Sequence, residues 1–553
     1  MKKEIEKLIQ KAVGVEAPSF LVEVPAEATH GDYSTNIALV LSKKLGKNPR
    51  EIANEIVVKI NHAHILENVS IEKVEVAGAG FINFYLSKEY FVGQLKSIEK
   101  NVGKNSAFKN KKIIVEFTDP NILKDFHIGH LMSNSIGESI SRIIEFSGAK
   151  IKRVTYQSDV SLGIAKAVFG KMKNSDLSWQ ESYVFGVNAY NESENDKAEI
   201  TALNKKIFER SDRTVNSIYD EGKKWSLAYF EAIYKKLGSD FDDYFMESQV
   251  ADIGKKIVLE NVGKVFEKGE KGAIIFKGEK FGLHTRVFIN SEGLPTYEAK
   301  DLALPIVKYK KYPYDSSIII TANEQTDYFK VMLCALGQIN PALFEKTKHI
   351  GHGMMRLPEG KMSSRTGKVI TFEFLLSEVE KLVAKKIAER DLSEAEKKEI
   401  IEKVAIGALK YSILKQSTGS DIIYDFEKSV SFEGDSGPYL QYAYARAQSI
   451  LRKAKTEKIK ASFKKVPENI SQLEKMMNHF SEIVEKAGKE LEPHGIAIYL
   501  TELAREFNHF YAQNKIVDKT DEFSPYKVAI VEAFSQIMKN GLWLLGIEAP
   551  DKM

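Results

Sequence analysis

Lys112 to Phe117 is a short apolar run rich in β-branched residues. It leads through a Pro120-containing loop into a helical periodicity from about Ile128 to Ser147, which stops at Gly148. A second apolar run follows from Ile151 to Gln157. A continuous apolar run, unlike an alternating one, suits a strand covered on both faces, as in a parallel sheet. Strand, helix and strand in such close succession make a βαβ unit. Ser316 to Thr321 resembles a further buried strand, and Lys171 to Glu260 between them is long, charged and helical in pattern. Together these predict a doubly wound α/β core interrupted by a helical insertion at about 171–260.

The flanks differ in character. Glu4–Val13, Thr35–Leu45 and Pro49–Ile60 carry helical stripes, while Ile71–Val76 and Gly80–Leu86 alternate as strands about a Gly78-Ala79-Gly80 turn. The polar stretch Lys100–Lys112 is expected to be a linker. From about Leu376 the pattern is helical, most clearly over Ile400–Leu414 and behind Pro493. A chain of 553 residues is too long for one ordinary domain. The boundaries expected are 1–105, 106–375 and 376–553.

With 80 Lys and Arg against 76 Asp and Glu, the net charge of +4 is too balanced for a histone-like polycation. Local basic faces for nucleic acid remain open, and Arg452–Lys465 is one, or else a solvated linker. One cysteine, Cys334, excludes an intramolecular disulfide and a multi-cysteine zinc site. No run of eighteen apolar residues occurs, and the first ten residues lack a leader's apolar core. A cytoplasmic, multidomain enzyme is expected.

Two segments carry chemistry. Glu116 to His130, ending Phe126-His127-Ile128-Gly129-His130, lies where the first strand hands over to its helix. Ligands bind at that edge of open α/β sheets, and a helix N-terminus there offers free N–H groups to phosphate. His127 and His130, three apart, share a face of the first turn and can donate to phosphate oxygens. Gly129 would let a flat base approach the backbone. An ordinary helix cap or a metal pair would use the same spacing. The second segment, Gly360 to Lys368, is a small cationic loop whose Lys361, Arg365 and Lys368 suit a triphosphate. Alone, it would read as a solvated basic loop.

In this order the two segments resemble the H-I-G-H and K-M-S-K-S elements of class I aminoacyl-tRNA synthetases. Further stretches resemble the arginyl-tRNA synthetases in particular: His30–Ala38, Gly78–Asn83, Glu116–Asn121, Phe241–Ser248, Thr296–Asp301, Glu324–Phe329, Gly437–Arg446, Leu503–Tyr511 and Leu544–Met553. The wording departs in places. Ser364 stands where a second lysine is usual, Thr118 and Asp119 replace two serines, and Tyr328 replaces a common histidine. Ser158-Asp159-Val160-Ser161 lacks the usual D-W-G-T.

The resemblance implies an interrupted Rossmann-like catalytic core, a small α/β N-terminal domain and an all-α C-terminal bundle. It implies ATP-dependent activation of L-arginine and transfer to the 3′-terminal adenosine of tRNA(Arg), by a monomer that binds tRNA before activation. Catalysis would fall to His127, His130 and Lys361, and ATP, carried with Mg²⁺ and no protein-bound metal, to Gly129, Lys124, Ser363, Arg365 and Lys368. Substrate arginine would meet Glu116, Asn121, Glu247, Tyr297, Asp301 and Gln325. A guanidinium needs planar acceptors, which fits the carboxylates Glu247 and Asp301. Contacts to tRNA would come from Phe81, Asn83, Tyr442, Arg446, Asn508 and Tyr511. The rivals are a class I synthetase for another amino acid and a catalytically silent RNA-binding relative. His-Ile-Gly-His recurs at 349–352, where no helix opens; a packing position near the sheet edge is expected, the alternative being that His352 reaches the adenosine side of the pocket.

Overall fold

The amphipathic stripes of the first hundred residues close on one another. In the computed structural model, which describes residues 1–14, 17–25, 27–62, 71–358 and 370–553, α1 (Lys2–Val13), β1 (Val22–Glu23), β2 (Tyr33–Thr35), α2 (Ile37–Leu45) and α3 (Pro49–His62) come first. They are followed by β3 (Ile71–Ala77), β4 (Phe81–Leu86) and α4 (Lys88–Lys96). The strands form an antiparallel sheet in the order β1-β2-β4-β3. Ile5, Ile9, Ile37, Ile56, Ile82 and Phe84 fill its core. Thr35, expected to open a helix, instead pairs with Ile82 as the last residue of β2. Its hydroxyl donates to Leu21 O at 2.6 Å, holding that backbone extended.

This unit is not contiguous in the chain. It comprises Met1–Val102, Ala447–Phe480 and Arg505–Ile537. Lys475 pairs with Asp32 at 2.9 Å, the Tyr90 hydroxyl donates to Asn478 Oδ1 at 3.2 Å, and the His479 ring meets Tyr33 edge-on. The Asp32–Lys475 pair spans 443 positions, a separation that no local pattern can announce.

The second unit comprises Gly103–Arg446, Ser481–Ala504 and Met538–Met553. Its core begins with β5 (Lys112–Glu116), α5 (Ile128–Phe146) and β6 (Lys150–Gln157), as the apolar runs predict. The helices α6 (Leu162–Lys173), α7 (Trp179–Glu192), α8 (Glu194–Glu209) and α9 (Arg213–Leu237) follow. Next come β7 (Asp243–Met246), α10 (Glu247–Glu260), β8 (Glu267–Lys268), β9 (Ile274–Phe276) and β10 (Arg286–Ile289). The core closes with α11 (Tyr297–Lys311), β11 (Ser316–Ala322), α12 (Thr326–Ile339), α13 (Pro341–Lys346) and β12 (Thr347–His352). The stretch read as wholly helical over 171–260 therefore contains a strand. Asp243–Met246 is too short and too charged in its surroundings for period alone to reveal it.

All pairings in the central sheet are parallel, in the order β12-β11-β5-β6-β7. The chain leaves β5 toward β6 on one side, whereas β11 flanks it on the other. That is a topological switch point, and the crevice beyond the carboxyl ends of β5 and β11 is where such sheets take ligands. One sheet face carries Val154 and Tyr156 of β6 into an apolar cluster with Val250 of α10, Ala299, Leu302 and Ala303 of α11, and Met332 of α12. Gly254 allows this close approach, since a Cβ there would lie 2.0 Å from Ala299 O. A small antiparallel sheet, β10-β9-β8, adjoins in sequence. No helix among the described residues is long and apolar enough to cross a membrane.

Candidate active site

Glu116, Asn121, Glu247 and Gln325 fall at the carboxyl end of a parallel strand or just beyond it, whereas Tyr297 and Asp301 lie on α11, which leads into β11. After Glu116 at the end of β5, the loop takes a conformation unusual for side-chain-bearing residues. Thr118 (φ 79°), Asp119 (φ 45°) and Leu123 (φ 62°) all lie in the left-handed region. Such strain costs on the order of 1–3 kcal/mol per residue and persists only where the surroundings fix it. They do so here: Thr118 N donates to Ser133 Oγ at 2.9 Å, Tyr156 N to Asp119 Oδ1 at 2.7 Å, and Leu123 N to Ser226 Oγ at 2.8 Å.

The loop delivers His127 as the N-cap of α5. Gly129 N donates to His127 Nδ1 at 3.1 Å, and His127 N donates to His130 Nδ1 at 3.2 Å. The two rings stack, with centroids 3.7 Å apart. Because each Nδ1 accepts, a neutral ring must carry its proton on Nε2. Both rings are neutral at pH 7: burial and then Lys124 bring His127 down to about 4, and burial, His127 and Lys124 hold His130 well below its ordinary value. Each histidine therefore presents an Nε2–H donor without a formal charge. Gly129 has a steric role in this cap, since a Cβ there would meet His127 Cε1 at 3.0 Å. The Lys124 ammonium lies 4.5 Å from the Tyr183 ring centroid.

Lys361, Ser363, Arg365 and Lys368 lie outside the described residues. The chain that follows them is tied to the histidine segment: Ile128 N donates to Ile370 O at 3.1 Å and Phe372 N to Phe126 O at 2.9 Å. The second His-Ile-Gly-His is the end of strand β12 and caps no helix. His349 stacks on Phe329 at 4.1 Å and shares a hydrogen bond with Thr321 Oγ1 at 2.8 Å. His352 Nδ1 donates to Gly353 O at 2.7 Å.

The carboxylates expected around a guanidinium are occupied unequally. Glu116 is buried and pairs with Lys308 at 2.8 Å, and that ammonium also donates to Ser317 Oγ at 3.0 Å. Glu247, at the start of α10, is buried against Lys300, which also donates to Val160 O at 3.2 Å. Its carboxyl is raised by burial and held back by Lys300. Both lysines project from α11. Sequence reading overlooked them, although Lys300 stands inside the stretch Thr296–Asp301.

Among the described residues, Asp301 has no ammonium partner of its own. It accepts from the Tyr328 hydroxyl at 2.5 Å. Burial pushes its carboxyl up to about 7; the Tyr328 bond works against the shift, while Glu247 and Glu116 add to it. Tyr297 is exposed, and the Lys300 ammonium lies 4.4 Å from its ring centroid, where a substrate cation was expected. Asn121 is half-buried and bridged to Ser158 at the end of β6. Gln325 is exposed in the short turn Asn323–Gln325 that follows β11. Asp159 also went unrecognised as a structural centre: it accepts from Ser248 N and Oγ, Lys223 Nζ and the Tyr219 hydroxyl, joining α9 to the start of α10.

Of the residues expected to meet RNA, Phe81 is exposed at the start of β4. Asn83 is buried and accepts from Ser34 Oγ at 2.8 Å, so its carboxamide braces the sheet rather than facing solvent. In the other unit, Tyr442 lies under two guanidinium groups, with Arg446 at 4.7 Å and Arg390 at 5.7 Å from its ring centroid. Arg446 above all holds its phenol below the ordinary range. Asn508 is half-buried and Tyr511 exposed, both in the first unit. Among the described residues no cluster of three or more His, Cys, Asp or Glu could hold a metal.

Comparison with known proteins gives a consistent set of likenesses. Residues 93–426 match the family described as tRNA synthetases class I (R), catalytic domain. Residues 440–553 match the DALR anticodon binding domain, and residues 1–86 the arginyl tRNA synthetase N terminal domain. The chain is 33% identical over 554 residues to an arginine–tRNA ligase of Fusobacterium nucleatum, covering 96% of this chain and 95% of the relative. It is 32% identical over 573 residues to one of Clostridium acetobutylicum, covering the whole of both. In fold it resembles the Thermus thermophilus arginyl-tRNA synthetase, with a TM-score of 0.80, 24% identity and 100% of both chains covered. The Plasmodium falciparum enzyme gives a TM-score of 0.79 at 22% identity, covering 100% of this chain and 98% of that one.

Proposed function

This chain belongs to the arginyl-tRNA synthetase family, and on that premise we propose how its residues divide the work of an arginine–tRNA ligase. The carboxylate of L-arginine attacks the α-phosphorus of ATP, a new C–O–P linkage forms, and pyrophosphate leaves. A hydroxyl of the 3′-terminal adenosine of tRNA(Arg) then takes the arginyl group and AMP departs. Neither step needs a protein nucleophile, so rate enhancement rests on positioning and on donors aimed at developing charge.

The reciprocal cap of His127 and His130 is the observation that carries this assignment. Both Nδ1 atoms are occupied within the cap, so both Nε2–H groups remain to donate to phosphate oxygens beside the start of α5. Neutral donors are already set before ATP arrives and cost no proton transfer. Lys361, aided by Ser363, Arg365 and Lys368, supplies positive charge as pyrophosphate departs, and Lys124 adds to it from the loop. Mg²⁺ accompanies ATP.

For substrate arginine, Asp301 is the acceptor for the guanidinium, because Glu116 and Glu247 already neutralise Lys308 and Lys300. Those two pairs hold the walls, Tyr297 flanks the opening, and Asn121 and Gln325 take the α-amino and carboxylate groups. Phe81 stacks on an unpaired base of the tRNA while Asn83 braces the sheet beneath it. Tyr442 with Arg446, and Asn508 with Tyr511, supply contacts on the anticodon side. The protein works as a cytoplasmic monomer and binds tRNA before activation.

ATP–pyrophosphate exchange and aminoacylation, run with purified tRNA and a panel of amino acids, test the whole assignment. Arginine alone should support both. Activity with glutamate instead, or none with any amino acid in a folded protein, would sink it.

A further inference from the structure

Resting on the arginine site just proposed, we infer that the Tyr156 hydroxyl is an additional specificity determinant, accepting a hydrogen bond from the guanidinium of the substrate. Tyr156 is the penultimate residue of β6, at the carboxyl edge of the sheet. Its ring is packed and its backbone anchored. It lies in the apolar cluster with Phe245, Val250, Ala299 and Leu302, and its own N–H is held by Asp119 at 2.7 Å. Only 9% of the residue is exposed, yet its hydroxyl has no hydrogen-bond partner among the described residues. A buried hydroxyl without a partner is disfavoured, and one held rigidly at a ligand-binding edge calls for a reason.

The surroundings supply one. Tyr156 shares its cluster with Ala299 and Leu302, which bracket Lys300 and Asp301 on α11, and the charges of Asp301, Glu247 and Glu116 all act on its phenol. Two of those carboxylates are committed to ammonium groups, Glu247 to Lys300 and Glu116 to Lys308. Asp301 has one oxygen engaged by Tyr328. A guanidinium brings five N–H donors in a plane, more than a single aspartate can satisfy. A neutral phenol oxygen beside Asp301 adds an acceptor without adding another buried negative charge. Lysine, with a compact ammonium and no fork of donors, could not engage both groups from one position.

Tyr156→Phe separates this role from a packing role by sign. Arginine binding is followed by calorimetry and by KM in aminoacylation, ATP KM is measured in parallel, and thermal melts are recorded without substrates. The variant should raise the arginine Kd and KM about tenfold or more, leave ATP KM within about twofold, and melt at the same or a higher temperature. Unchanged arginine Kd and KM in a folded variant would overturn the inference, and so would a lowered Tm with arginine and ATP affected alike. If the unsubstituted protein shows no arginine-dependent activity, the family-based site itself has failed. Activity in the parent with no change in the variant removes Tyr156 alone.

Discussion

Asp301 should make arginine use depend on pH in a window where an ordinary aspartate would be silent. Burial first, and then the nearby charges of Glu247 and Glu116, place its carboxyl at about 7. A guanidinium requires the ionised form. In the free enzyme about half the molecules carry it at pH 7, about a tenth at pH 6 and about nine-tenths at pH 8. The kcat/KM for arginine should therefore fall about tenfold from pH 8 to pH 6. Asp301→Asn should abolish that limb and lower the pH 8 value roughly 30-fold or more, the loss of one buried charge partner being worth about 2–5 kcal/mol. The assay is arginine-dependent pyrophosphate exchange with tRNA present, taken as the ratio of parent to variant at each pH. ATP and tRNA titrate identically in both proteins, so the ratio isolates residue 301. Stability should move the other way. A carboxyl whose folded pKa is raised above its unfolded value favours the fold when protonated, and that contribution is lost as pH rises from about 4 through about 7. The variant should therefore melt higher than the parent at pH 8 and no higher at pH 4. A flat ratio between pH 6 and 8, or a limb that survives in the variant, would refute the assignment.

Other substitutions probe the remaining parts. His127→Ala or His130→Ala should lower the adenylation rate about 100-fold or more, as for loss of one transition-state donor, whereas His349→Ala should affect stability and little else. Equal sensitivity of both histidine pairs in kcat, with folding verified by circular dichroism, would move the nucleotide site elsewhere. Lys361→Ala should reduce kcat for adenylate formation more than ATP binding; a weakened ATP Kd with kcat intact would make it a simple tether. Lys300→Met leaves Glu247 buried without its cation and should cost about 3–5 kcal/mol in denaturant melts. Stability equal to the parent would mean that the pair is not the wall proposed above.

What could be read from the residues alone, and what could not, divides by range. The βαβ start was visible because β5, α5 and β6 are consecutive and carry distinct periods. The histidine cap was visible because both partners lie within one turn of helix. The occupancy of the carboxylates was not. Lys308 reaches Glu116 across 192 positions and Lys300 reaches Glu247 across 53, pairings made only once α11 packs on the sheet. Seen without their lysines, Glu116 and Glu247 looked as available to a substrate as Asp301. The strands β8, β9 and β10 escaped notice for another reason, since two to four residues hold too little alternation to separate from a loop. Asn83 sits in a recognisable stretch, but only its register against Ser34 turns the side chain inward.

The discontinuous first unit also bears on how the protein is made. Residues 1–102 leave the ribosome well before their partners: Lys475, Asn478 and His479, which pair with Asp32, Tyr90 and Tyr33, are translated more than 300 positions later. At about 5–20 residues per second, that delay is on the order of tens of seconds. Until then part of an apolar surface, including the face where Ile470 packs, waits uncovered beside a growing chain. A nascent protein stalled before residue 447 would hold its N-terminal helices without the segments that complete them, a natural client for a chaperone.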